Sequence, residues 1–127
     1  MADRLLNVND LTTSFKLQNG RIVSPVDQIS FHVDRGEVVG LVGESGCGKS
    51  MTALSLIRLV PPPGRVAAGE VLFGGKDVLK MSGQELSGIR GARISTVFQD
   101  PLTFLNPVMT IGRQIAETVQ LHKKVRK

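Results

Sequence analysis

Residues 43–50 read GESGCGKS, and this short string holds the residue types needed to grip phosphate. Gly43, Gly46 and Gly48 lack a Cβ, so the loop can turn its backbone N–H groups inward onto one anion. Lys49 offers an ammonium to the β- and γ-phosphates of a triphosphate, and the Ser50 hydroxyl is of the kind that ligates Mg²⁺. A helix starting near Lys49 would bring roughly half a positive charge to the same point. Every fixed position fits G-x-x-x-x-G-K-[ST]. The expected nucleotide-binding set is therefore Gly43, Glu44, Ser45, Gly46, Cys47, Gly48, Lys49, Ser50 and Met51, with ATP and Mg²⁺ as ligands. The plain alternative is a glycine turn between a strand and a helix that binds nothing. Cys47 fills a variable position, either as a reactive thiol or simply as a small residue tolerated there. In both cases, alkylation would fill the space meant for phosphate.

The flanking residues supply the elements such a loop requires. Val38-Val39-Gly40-Leu41-Val42 is a continuous apolar run, the pattern of a strand buried on both faces. After the loop, residues 50–60 carry Met51, Leu54 and Ile57 at helical spacing, and Pro61-Pro62-Pro63-Gly64 ends that pattern. Upstream, Leu11, Thr13, Phe15 and Leu17 alternate, as do Ile29, Phe31 and Val33. Asn19-Gly20 marks a turn between them, predicting an antiparallel region over residues 5–35. Downstream, the sequence predicts a short strand over 70–73 and a turn at Gly74-Gly75. Ser82 and Glu85 form a capping box opening a helix to about Arg90. Ile94–Phe98 is a second buried-strand candidate, residues 100–109 are loop-like, and Ile111, Ile115 and Val119 give a helix over about 110–124.

The bulk properties narrow the class. A chain of 127 residues with 41% hydrophobic content is long enough for one domain. No apolar run is long enough to span a membrane, and the amino terminus has no signal-like apolar core, which predicts a cytoplasmic location. The single cysteine excludes an internal disulfide. Net charge is +5, but residues 121–127 (LHKKVRK) hold four of the sixteen basic residues and no acid. Residues 1–120 then carry twelve bases and eleven acids, a net of +1. The basicity is a tail rather than a face, and no Tyr or Trp offers base stacking, so nucleic acid is not expected as a partner. None of Asn7, Asn9, Asn19 or Asn106 is followed by Lys, so the guanine-reading N-K-x-D element of GTPases is absent from these residues.

Three segments carry a resemblance. LVGESGCGKSMTALSLIRLV, GEVLFGGKDV and IRGARISTVFQDPLTFLNPVMTIGRQIAE resemble the ATP-binding subunits of ABC importers, most closely the dipeptide, oligopeptide and nickel group. The resemblance covers about residues 5–122 and corresponds to the amino-terminal part of that family's nucleotide-binding domain. It implies an α/β P-loop NTPase fold: an antiparallel β region over 1–35, a P-loop core portion with a partial parallel sheet over 36–99, and the start of a helical subdomain with a basic tail over 100–127. It further implies that Gly43–Ser50 is the Walker A loop, with Lys49 catalytic. Gln99 corresponds to the Q-loop glutamine, which touches Mg²⁺ or the attacking water, so Ser50 and Gln99 are the implied metal contacts. Phe15 stands where the family stacks an aromatic on adenine; its position in an alternating strand face is an equally good reason for its presence. Phe104, Leu105 and Pro107 resemble the surface that receives a membrane subunit, with ordinary packing as the alternative.

The resemblance also implies partners: transporter membrane subunits, a second ATP-binding subunit as a homo- or heterodimer, and a position on the inner face of the cell membrane. No acid here closes a run of apolar residues and precedes a catalytic Glu; Asp34 and Asp100 both fail that test. The LSGGQ signature is absent, and Met81-Ser82-Gly83-Gln84 lies too early in the order to replace it. The chain is thus expected to be an amino-terminal fragment that binds nucleotide and turns it over negligibly by itself.

Overall fold

The computed structural model describes residues 3–123, in two compact units that divide between Met81 and Ser82. In the first, β1 (Arg4–Lys16), β2 (Ile22–Asp34), β3 (Gly64–Phe73) and β4 (Lys76–Asp77) form one antiparallel sheet in the order β2-β1-β3-β4. The alternation over residues 5–35 is therefore a hairpin. Its turn closes where Asn19-Gly20 signalled it: Leu17 N–H donates to Arg21 O at 2.8 Å, and Gly20 takes φ +81°. The core of this unit gathers Val8, Leu11 and Val26 from the hairpin with Ile57, Val71 and Val78.

The long hairpin is bent by two bulges that side chains stabilise. Asp10 and Gln28 sit at φ +46° and +48°, each where the β1–β2 register shifts. The Ser30 hydroxyl accepts from Asp10 N–H at 2.8 Å, and the Thr12 hydroxyl accepts from Gln28 N–H at 3.0 Å, so neither bulged amide is left bare. Across β1, Gly69 at φ +101° faces the Asp10 bulge. A Cβ there would lie 2.6 Å from Leu11 Cα and 2.7 Å from Asp10 O, which is why only glycine fits.

After the glycine loop, α1 (Lys49–Leu56) is shorter than its apolar spacing predicts. It ends in a Schellman motif: Leu59 N–H reaches Leu54 O at 2.8 Å, and Arg58 N–H reaches Ser55 O at 3.1 Å. Arg58 occupies the left-handed position at φ +54°, where glycine is usual. The buried residues of α1 are Thr52 and Ser55, not the expected Met51 and Leu54.

Two strand expectations are corrected. Residues 38–42 form no strand, and Val38 and Val42 are 97% and 90% exposed. Residues 94–98 make one isolated bridge, Arg90 with Ile94, and Val97 is 92% exposed. The physical reason is the same for both. An apolar run can be buried on both faces only between hydrogen-bonded neighbours, and no described residue pairs with 38–42 or with 95–98. The described sheet is accordingly antiparallel throughout, and the expected partial parallel core sheet is not formed by these residues.

The second unit opens with α2 (Gly83–Ile89). Its start is the predicted capping box: Ser82 Oγ accepts from Glu85 N–H at 3.3 Å, and Glu85 Oε2 accepts from Ser82 N–H at 2.9 Å. A 3-10 turn at Pro101–Phe104 follows, then α3 (Ile111–Lys123). The Gln114 side chain ties α3 to the loop before it, accepting from Asn106 N–H at 3.0 Å and donating to Asn106 O and Met109 O. Residues 124–127, most of the basic tail, lie outside the described residues.

Candidate phosphate-binding loop

The loop takes its shape from backbone that only glycine tolerates. Gly46 and Gly48 stand at φ +81° and +96°. At Gly48 a Cβ would run into the carbonyl oxygen of Pro25 on β2, so this residue lets the loop approach the sheet. The same residue caps α1: Gly48 O accepts from Thr52 N–H at 2.8 Å and from the Thr52 hydroxyl at 2.9 Å. Gly43 serves a third purpose, because a Cβ on it would collide with Cys47 Sγ. The loop therefore folds back on itself with Cys47 above Gly43, and Cys47 N–H donates to Glu44 O at 3.2 Å.

Lys49 is held inside this curve. Its ammonium donates to Gly43 O at 2.5 Å and Glu44 O at 2.7 Å, with Cys47 Sγ at 3.5 Å. An ammonium has three donors. Two lie on carbonyls that fix its direction, and the third meets only the long, weak sulfur contact. Gly43–Cys47 and Ser50 are exposed, Gly48 and Lys49 are half-buried, and Met51 is half-buried on the first turn of α1. The loop is thus largely exposed, with the Lys49 ammonium fixed inside its curve and the start of α1 adjoining it. The donor chemistry fits a polyphosphate with Mg²⁺: amides and an ammonium for the anion, and the Ser50 hydroxyl for the metal.

Beneath the loop, α1 is tied to the sheet by a buried polar contact that sequence reading missed. Thr13 Oγ1 lies 2.7 Å from Ser55 Oγ. The only signal available was Thr13's place on the inward-facing register of β1.

The other expected site residues lie elsewhere. Phe15 is on β1, opposite Val23 and Gly64, and half-buried. Its ring covers Gly64, where a Cβ would stand 2.5 Å from the ring edge and 2.7 Å from Val60 Cγ1. Gln99 belongs to the second unit, in the exposed stretch before Pro101. The rings of Phe98 and Phe104 stack beside it at 4.3 Å. Phe104, Leu105 and Pro107 are exposed.

The ABC transporter family profile matches residues 26–127, which includes this loop and everything after it. The chain belongs to the ABC transporter family. A probable peptide ABC transporter ATP-binding protein of Sinorhizobium fredii is 49% identical over 98% of the chain and 37% of its own length. The oligopeptide transport ATP-binding proteins of Bacillus subtilis and Escherichia coli are 46% and 43% identical, over 98% and 99% of the chain. The chain spans 35% of the first of these and 37% of the second. As an ABC transporter sequence it carries the P-loop NTPase fold in part, and the family is one of nucleotide-binding domains. None of its described helices is long and apolar enough to cross a membrane.

Proposed function

We propose that this chain is the ATP-binding portion of an ABC transporter ATPase subunit that energises import of peptides or similar small solutes. The observation that carries the reading is the fixed ammonium of Lys49 within a loop curved by Gly46 and Gly48 at positive φ. In this reading the loop amides and Lys49 bind the phosphates, Ser50 holds Mg²⁺, and Met51 and Phe15 border the nucleotide. Bound Mg²⁺ supplies charge neutralisation between the phosphates. Lys49 adds a positive charge that needs no reorganisation, because Gly43 O and Glu44 O already orient it. By the family resemblance, Gln99 would be a further metal contact and would orient water. The names of the similar proteins support peptide as the transported class.

In the complete domain, residues 38–42 and 94–98 become paired central strands of a parallel sheet, consistent with their apolar composition and their exposure here. Phe104, Leu105 and Pro107 face a membrane subunit, and a second ATP-binding subunit completes each nucleotide site at the inner membrane face.

A second reading is a nucleotide-binding module without turnover. It is favoured by the lack, within residues 1–127, of an Asp-Glu pair after an apolar run and of an LSGGQ segment. Two measurements separate and test the readings. Mg-ATP at a hundredfold over Kd is expected to stabilise the fold by about 2.7 kcal/mol. Lys49→Ala should remove most of that shift, since hydrogen bonds to a charged group contribute roughly 1.5–3 kcal/mol. Equal shifts in wild type and variant would sink the proposed site. Hydrolysis by residues 1–127 alone should be negligible; robust Lys49-dependent turnover would refute the module reading.

A further inference from the structure

Residues 106–109, Asn-Pro-Val-Met, close a turn in which Met109 N–H donates to Asn106 O at 3.2 Å. Asn106 Oδ1 accepts from Val108 N–H at 3.1 Å, a local bond that asparagine makes at turns. Pro107 has no N–H to place. The Gln114 side chain, reaching back from α3, completes the set. Its Oε1 accepts from Asn106 N–H at 3.0 Å, and its Nε2 donates to Asn106 O at 3.1 Å and to Met109 O at 3.0 Å. One side-chain amide thus pairs with the backbone of Asn106 as a neighbouring strand would. Every backbone N–H of residues 106–109 then has an acceptor.

The helix does not need this side chain in order to begin. Thr110 caps it: Thr110 Oγ1 accepts from Arg113 N–H at 3.3 Å, and Thr110 O accepts from Gln114 N–H at 3.1 Å. Gln114 is half-buried while the other residues of α3 are exposed. Its polar atoms are therefore spent on the turn. What the turn carries points outward, for Leu105, Pro107 and Val108 are all exposed, Val108 at 88%. Clustered apolar groups on a surface mark contact with a partner. A loop already held in its bound shape binds more tightly than one that must be ordered on contact.

We propose that Gln114 is the positioning residue of the surface that receives a membrane subunit. It holds the Asn106–Met109 turn in one shape, so Leu105, Pro107 and Val108 meet the membrane subunit as a preformed apolar ridge. The proposal rests on the reading above that this face receives such a subunit, and it adds the residue that shapes the face. The role requires an amide. Glutamate has the same length, but it would set an acceptor oxygen against the carbonyls of Asn106 and Met109 in place of a donor.

Two measurements on the full chain test this. In the first, NMR amide exchange should be slow at Asn106, Val108 and Met109. Gln114→Glu should speed it at least about tenfold at these three, because the donors that close the turn are lost. Exchange in α2 and in the β1–β2 hairpin, and the Mg-ATP thermal shift, should not change. Gln120→Glu adds the same charge later on the same helix and should alter none of these. In the second, the chain is titrated without nucleotide onto the membrane subunits of the Bacillus subtilis oligopeptide transporter in lipid nanodiscs. Wild type and Gln120→Glu should bind saturably and alike, and Gln114→Glu at least about tenfold more weakly. Val108→Ser should also weaken binding while the turn amides stay slow, which separates the ridge from the residue that forms it. The proposal is overturned if Gln114→Glu leaves the turn amides slow or binds as tightly as wild type, or if Val108→Ser binds as wild type does. A wild-type chain that shows the Mg-ATP shift but does not bind the nanodiscs would overturn the membrane-subunit reading of this face, and the proposal with it.

Discussion

Thr13 on β1 gives its hydroxyl proton to Ser55 on α1 across 2.7 Å in a buried setting. The direction follows from elimination, because Ser55 Oγ donates its single proton to Met51 O at 2.6 Å and so must accept from Thr13. This chain of hydroxyls fastens the helix that carries the phosphate loop to the sheet. Thr13→Val keeps the shape and removes the donor, leaving the buried Ser55 Oγ with nothing to accept from while it still donates to Met51 O. A loss of about 1–3 kcal/mol in unfolding free energy is expected. Adding Ser55→Ala to Thr13→Val should cost less than the sum of the two single changes, read from urea midpoints. Strict additivity would mean that the two hydroxyls do not interact.

Gly48 has both constraints that forbid a side chain, a φ of +96° and the Pro25 carbonyl oxygen in the way. Gly48→Ala should therefore destabilise the fold by more than the roughly 1–3 kcal/mol of backbone strain alone, and it should abolish the Mg-ATP-dependent thermal shift. Gly40→Ala is the matched control, since a Cβ there meets nothing within 4 Å. If both variants melted and bound alike, the close approach of loop and sheet would be wrong.

What the sequence made legible follows physical range. The hairpin, its Asn19-Gly20 turn, the Ser82–Glu85 capping box and the glycine loop are local patterns, written within a few residues, and each stands in the structure. For 38–42 and 94–98 the strand signal is composition alone, and composition records only that a segment tolerates burial. Pairing is non-local, and the described residues supply no neighbours. The inward side of α1 is hidden for a similar reason: hydrophobic spacing points to Met51 and Leu54, whereas the buried residues are Ser55, which meets the distant Thr13 hydroxyl, and Thr52, whose hydroxyl turns back to Gly48 O. The Arg58 left-handed cap was invisible, since nothing local marks an arginine for a position that glycine normally fills.

Cys47 combines accessibility with a cramped inner side. Its thiol is exposed, yet Sγ sits where a Cβ on Gly43 would be, and it lies 3.5 Å from Lys49 Nζ. An alkyl group on the sulfur has no room toward Gly43 and adds bulk beside the Lys49 ammonium. Stoichiometric alkylation should abolish the Mg-ATP thermal shift, while Cys47→Ala should retain it and resist the reagent. Protection of the thiol by prior Mg-ATP would be the complementary result. Unchanged nucleotide binding after complete modification, confirmed by mass, would remove Cys47 from the phosphate site.

Asp77 makes stability depend on acid in a direction that can be worked out. Burial by itself raises its pKa. Hydrogen bonds from the Lys80 ammonium and from the amides of Leu79 and Val71, with the Lys80 charge, outweigh that and hold the carboxyl below its usual value. A folded-state pKa below the unfolded value of about 3.9 means the folded state binds the proton less readily. The stabilisation is fully present above about pH 4 and is lost as pH falls through the lower folded value. Asp77→Asn keeps a carbonyl oxygen for Leu79 N–H while removing the charge. The stability gap between wild type and variant should thus stay constant from neutral pH down to about pH 4 and shrink below it. Denaturation curves that remain parallel into strong acid would show that the charge of Asp77 contributes nothing to holding the β4 turn in place.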